Sequence, residues 1–184
     1  GTIDNNDLVF KRNSILSGKL STTNTSFGVE ALSNTSVTAQ RSVSIGVKAL
    51  KSLTSGNDNV GVGYAALEAN TSGLQNVALG ASSLTLNTSG SYNSAVGYNA
   101  LTRNTTGIMN TAIGNGSLFN NLIGNSNVGI GKSALERNFS GSSNTAVGNF
   151  SLFNNQSGSE NISIGESALE RNISGSYNIA IGAS

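Results

Sequence analysis

Cysteine, histidine and proline are all missing from this chain of 184 residues, and charge is scarce. Without cysteine there is no disulfide framework, no thiolate metal site and no thiol nucleophile. Without histidine the commonest general base and metal ligand are gone. Ten basic residues against nine acidic ones leave a formal charge of +1, with no charged run longer than a pair. Such a surface has no field to gather nucleic acid or an anionic membrane, so neither is expected as a partner. No apolar stretch approaches the roughly 20 residues of a membrane-spanning helix, which excludes insertion of that kind. The first residues, GTIDNNDLVFKRN, show no signal-peptide pattern. They begin on Gly rather than Met, as an excerpt or processed product would.

What fills the chain is Gly, Asn, Ser and Thr, with 36% hydrophobic residues. That balance suits a disordered chain. The absence of proline and the even spread of apolar residues speak against disorder, and self-comparison decides the matter. Glycines stand at Gly28, Gly46, Gly63, Gly80, Gly97, Gly114, Gly131, Gly148, Gly165 and Gly182, one step of 18 followed by eight of 17. Each is preceded by an apolar residue, from Phe27 and Ile45 to Ile164 and Ile181, and before that by Ala, Gly or Ser. Four places after the glycine comes leucine in every complete unit, Leu32 through Leu169. From Leu50 on, asparagine comes three further along, Asn70 through Asn172, with Leu53 as the exception. A second glycine and the asparagine that opens the next unit complete the pattern N-x-small-apolar-G-x-x-[AS]-L-x-x-N-x-[ST]-G-x-x.

Two glycines and a turn cluster such as NTSG in every unit leave no room for a helix. The unit predicts two short strands, one over residues such as NTAIG and one around SALER, joined by turns in which Gly and Asn take positive φ. The fold class is therefore all-β: a repetitive β-solenoid, a parallel β-roll or β-helix of about ten 17-residue rungs. Stacking at about 4.7 to 4.9 Å would put leucine on leucine and asparagine on asparagine in a rod of roughly 45 to 50 Å. Residues 1–23 read as a connecting segment with a short strand, and 24–184 as the array. The chain stops inside a unit with no polar cap, so further rungs or a tip domain are expected to follow.

Alternation along the first strand puts the residue before glycine and the one two earlier (Val60, Val77, Val128, Ile162, Ile179) on one face and the small residue on the other. The leucines need only one of these faces. The other is free to meet neighbouring copies of the chain, either as a Val/Ile column, the reading favoured here for the axis of an assembly, or as a smooth Ala/Gly/Ser surface that permits close approach.

Strings such as NTAIG, NISIG and NIAIG followed by x-x-[AS]-L resemble the head repeats of trimeric autotransporter adhesins, whose rungs form a left-handed parallel β-roll. The longer rung and its N-T-[ST]-G turn are more similar to arrays in bacteriophage tail fibres, and GTIDNNDLVFKRN resembles a segment leading into such arrays. The resemblance covers about residues 24 to 184. It implies a non-enzymatic shaft or head segment of an attachment fibre on a virion, with two further copies of itself and a host-surface glycan or protein as partners. A bacterial cell-surface adhesin is the alternative, and an ice-binding solenoid a minor one. Adhesin rungs are usually shorter, so their cross-section does not transfer. In the first units, Ser42 stands where asparagine opens the others.

No cofactor or metal site is expected. Glu136 and Glu170 share a rung position about 9 to 10 Å apart, near the separation of inverting glycosidases. Each sits in the string ALERN beside an arginine, which reads as a solvated, charge-balanced face. The array has a single aspartate, Asp58, where calcium-binding rolls need one in each turn. The N-x-[ST] triplets at Asn70, Asn87, Asn104, Asn138 and Asn172 follow from turn chemistry. An ice-binding face would need an unbroken threonine column, but Thr71, Thr88 and Thr105 give way to Leu122, Phe139, Gln156 and Ile173. The candidate receptor contacts are rings repeated along the rod: Tyr64 with Tyr98, Phe119 with Phe153, and Tyr92 with Tyr177.

Overall fold

The structure, a computed structural model, describes residues 8–12, 15–20, 23–34 and 37–183. The opening GTIDNND, quoted above for its resemblance, lies outside the described residues. Twelve strands form one sheet in chain order: β1 Leu8–Arg12, β2 Ile15–Leu20, β3 Asn24–Phe27, β4 Ser42–Ile45, β5 Val60–Val62, β6 Val77–Leu79, β7 Ser94–Val96, β8 Thr111–Ile113, β9 Val128–Ile130, β10 Thr145–Val147, β11 Ile162–Ile164 and β12 Ile179–Ile181. β1 pairs antiparallel with β2, and β2 with β3. From β3 onward every neighbour is parallel and in register, Ala95 on Ala112 and Val96 on Ile113. The chain is thus all-β, with ten parallel strands wound into a solenoid of about nine turns and no helix among the described residues.

The core is a stack of two small columns against one large one. The middle residue of each strand from β5 to β11, Ala78, Ala95, Ala112 and Ala146 among them, is buried. So are the leucines Leu50, Leu67, Leu84, Leu101, Leu118, Leu135 and Leu152, and the small residue before each. Where the middle strand residue is serine its hydroxyl is satisfied across the core, Ser44 Oγ donating to the Ala49 carbonyl at 2.7 Å and Ser163 Oγ to that of Ala168 at 2.7 Å. The first rung differs, because the Ser26 hydroxyl is buried without a partner.

The expected second strand is absent among the described residues. The segment around each leucine is a run of turns, in which the leucine and the residue two before it are left-handed: Leu67 at φ 55° and Ala65 at 55°, Leu118 at 52° and Gly116 at 67°. A left-handed leucine is disfavoured by roughly 1–2 kcal/mol. Every other N–H in this run bonds within its own rung, Ala66 N to Gly63 O at 3.4 Å and Glu68 N to Ala65 O at 3.3 Å, and the N–H groups between them reach the two adjacent rungs. Ala65 N donates back to Val47 O at 2.9 Å, and Leu67 N forward to Ser83 O at 3.0 Å. The inter-rung ladder therefore continues around the perimeter without a second strand.

Two amide columns complete the stack. In the first, Asn87 Nδ2 donates to Asn70 Oδ1 at 2.9 Å and Asn104 Nδ2 to Asn87 Oδ1 at 2.8 Å, and so on to Asn172. In the second, the opening asparagines do the same, and each Oδ1 also accepts the next backbone N–H, Asn93 N to Asn76 Oδ1 at 3.0 Å. The turn glycine ties the columns together: Gly90 O accepts from Asn87 Nδ2 and from Asn76 Nδ2, both at 2.9 Å. Gly90 has no positive φ. It is glycine because a β-carbon there would land on the Asn87 amide oxygen and the Gly107 carbonyl. The glycine after each strand does need its conformation, with φ near 130° at Gly114. Positive φ among the other residues falls on the leucine run and on the residue before each opening asparagine, not on the asparagines themselves.

Candidate interaction surface

Because the small residues and leucines face inward, the strands turn their β-branched residues out. In the column that precedes the strand glycines, Phe27, Ile45, Leu79, Val96, Ile113, Ile130, Ile164 and Ile181 are exposed, Ile113 at 41%. Beside that column run Val43, Val60, Val77, Ser94, Thr111, Val128 and Thr145, half-buried by their own neighbours. The result is a parallel sheet with two outward columns, almost wholly Val, Ile and Thr, along the length of the array. Large exposed apolar surfaces of this kind mark interaction sites. The strand geometry thus assigns the Val/Ile column to the outside of the solenoid and the small residues to its interior.

Exposure alternates beyond the strands as well. Around β7, Tyr92 is exposed, Asn93 buried, Ser94 half-buried, Ala95 buried, Val96 exposed and Tyr98 exposed. The outward strip therefore includes a flanking column on each side, Val47, Tyr64, Ala81 and Tyr98 on one and Gln75, Tyr92 and Met109 on the other. Tyr64 and Tyr98 are 55% and 57% exposed, Tyr92 50%, and Tyr177 at the far end 75%.

The phenylalanines behave differently. Phe119 and Phe153 lie half-buried on the leucine side. Phe153 meets Phe150 edge to face at 5.8 Å, a pairing signalled in the sequence only by Phe150 replacing Gly116 in otherwise matching rungs. Arg137 caps the Phe153 ring at 5.0 Å and Lys132 the Phe150 ring at 5.4 Å. These rings are engaged by their own rungs and by cations, each contact contributing roughly 0.5–1 kcal/mol at an exposed site.

The remaining polar features serve the stack. Thr71, Thr88 and Thr105 each donate a hydroxyl to the carbonyl one rung on, at 3.0, 3.0 and 2.9 Å, so this column is a ladder of satisfied donors. The side-chain nitrogens of Asn87, Asn104 and Asn138 are buried in the amide ladder. Among the described residues no three acidic side chains converge as a metal cage. Ion pairs gather at the first rungs: Arg41 grips Asp58 with two bonds of 2.6 and 2.8 Å, and Lys51 reaches Glu30 at 2.7 Å. Arg41 holds the Asp58 carboxyl below its usual range by hydrogen bond and charge, and Lys51 does the same to Glu30.

Compared with known proteins, the chain matches no family model, no curated protein and no solved structure, so its reading rests on its own geometry.

Proposed function

We propose that this chain is the shaft or head segment of a homotrimeric attachment fibre, of the kind carried by a phage tail, and that it performs no catalysis. The observation that carries the reading is the exposed Val/Ile/Thr face on a solenoid whose interior is already complete. Two outward columns over ten strands offer about twenty side chains, comparable to the roughly 20 to 30 residues a side of a stable interface. The strands are parallel and identically spaced, so copies aligned along a common axis would meet rung for rung. Burying the face in this way removes the largest apolar liability of the single chain and stiffens the rod.

The mechanism is mechanical. Identical rungs set length, inter-rung hydrogen bonds and amide columns resist local opening, and threefold repetition multiplies any weak contact with a host glycan or protein. Rings that remain exposed on the assembled rod are the groups suited to such contact, because they can stack on sugar rings or pack on apolar protein surface.

Antibody labelling tests the reading at the level of function. An antibody raised against the array should decorate fibres projecting from virions. Decoration of a bacterial envelope in the absence of phage particles would instead place the chain in a cell-surface adhesin.

A further inference from the structure

The strip flanking β7 carries an observation that the Val/Ile columns do not. Its two edges are different surfaces: Tyr98 follows the strand glycine on one side, and Tyr92 precedes the opening asparagine on the other. Of the parallel strands, only β7 has an exposed aromatic side chain on both flanks. Six residues separate the two, so at about 3.3 Å per residue the rings of one chain stand roughly 20 Å apart and cannot meet each other. A ring of copies related by rotation joins unlike surfaces, so one flank of a protomer faces the opposite flank of the next. Copies sharing an axis along the rod also hold equivalent strands at equal height. Winding raises the chain by only part of a rung across the face, which brings Tyr98 between the levels of Tyr92 and Met109 of its neighbour.

We propose that Tyr98 of each protomer lodges between Tyr92 and Met109 of the adjacent copy, closing the edge of the trimer at β7. This inference rests on the trimeric reading and goes beyond it by naming the residues at the seam. The chemistry suits the placement: paired phenol rings gain from edge-to-face or offset contact, and a thioether at a ring edge is a favourable neighbour. Met109 is 54% exposed in the single chain and continues the Tyr92 column one rung on. In the assembled fibre Tyr92 and Tyr98 would then be structural, leaving rings away from the seam for host contact.

The absence of native cysteine makes the test direct, because introduced thiols are the only ones present. Two double variants of this 184-residue chain, Tyr98→Cys with Tyr92→Cys and Tyr98→Cys with Met109→Cys, would be treated with a short bismaleimide and run on a denaturing gel beside each single variant. At least one double variant should give covalent dimers and trimers in high yield, with single variants remaining monomeric. A double variant that loses the trimer while keeping the β signal of the parent in circular dichroism also supports the seam. If sedimentation shows trimers but both double variants stay monomeric on the gel, the seam is wrong and the trimer stands, with these rings free for a host ligand. A parent chain that sediments as a monomer overturns both.

Discussion

The first two rungs and the later ones solve the same stacking problem with different chemistry. From β5 onward each rung repeats its asparagine pair, and the donors run uninterrupted from one rung to the next. At β4 the opening asparagine is Ser42, whose hydroxyl still accepts the Asn59 N–H at 3.2 Å but cannot bridge to the turn glycine. In the same rung Leu53 fills the turn position with a buried apolar side chain and ends the other amide column. Ion pairs stand in their place, Arg41 with Asp58 and Lys51 with Glu30, and the two antiparallel strands β1 and β2 cover the sheet edge. The difference teaches that the amide columns propagate the stack once started, while its beginning is set by strand pairing and by exposed charges.

The sharpest way to break the regular rungs is Gly114→Ala. A β-carbon there would overlap the Gly131 carbonyl at a φ of 131°, so two adjacent rungs must part. Strain of about 1–3 kcal/mol from the backbone alone adds to that overlap, and loss of cooperative thermal unfolding in circular dichroism is expected. Gly116→Phe is the matching control. It sits at φ 67°, and the equivalent place two rungs on is already Phe150 at φ 56°, so its melting curve should barely move.

Next in size is an exchange across the comparison. Asn104→Leu removes the donor to Asn87 Oδ1 and one of the two donors to Gly107 O, and leaves Asn121 Nδ2 with Gly124 O alone, at roughly 1–3 kcal/mol for the buried Asn87 oxygen left unpaired. Leu53→Asn moves the other way, extending the column by one rung toward Asn70. Urea unfolding should show the first change as clearly more destabilising than the second. Equal costs would mean that the column carries no stability of its own.

The smallest effect concerns pH. Asp58 and Glu30 are held below their usual carboxylate range by Arg41 and Lys51, so the folded state favours their charged forms. Their contribution is present above the ordinary carboxylate pKa and fades as pH falls through and below it. Both pairs are exposed, which keeps the effect slight. Hydrogen exchange, corrected for intrinsic rates, should show reduced protection at β3 and β4 in acid. Protection at β7 and β8, whose rungs contain no carboxylate, should be unchanged.

The 17-residue register, the buried leucines and the amide columns were legible, because each is a residue type repeated at a fixed spacing, whereas strand alternation alone leaves either the Val/Ile or the small-residue face free to turn outward. The leucine run was not. Nothing in a leucine signals left-handed backbone, and the usual bearers of positive φ misled in a specific way. Gly90 and its equivalents are glycine for space rather than for conformation, whereas Leu84 and Leu101 adopt φ near 50° with each N–H bonded to the next rung, at Ala100 O and Ser117 O, and each carbonyl bonded within its own. Among the candidate contacts, the tyrosine columns could be read from spacing, but the pairing of Phe150 with Phe153 depends on how far the turns bring neighbouring side chains together.

The central claim is that the outward Val/Ile/Thr face is covered by further copies of the same chain. Sedimentation equilibrium of the dilute, folded array measures this most directly. The account predicts a single species at three times the 18.6 kDa chain mass, and a stable, folded monomer would contradict it.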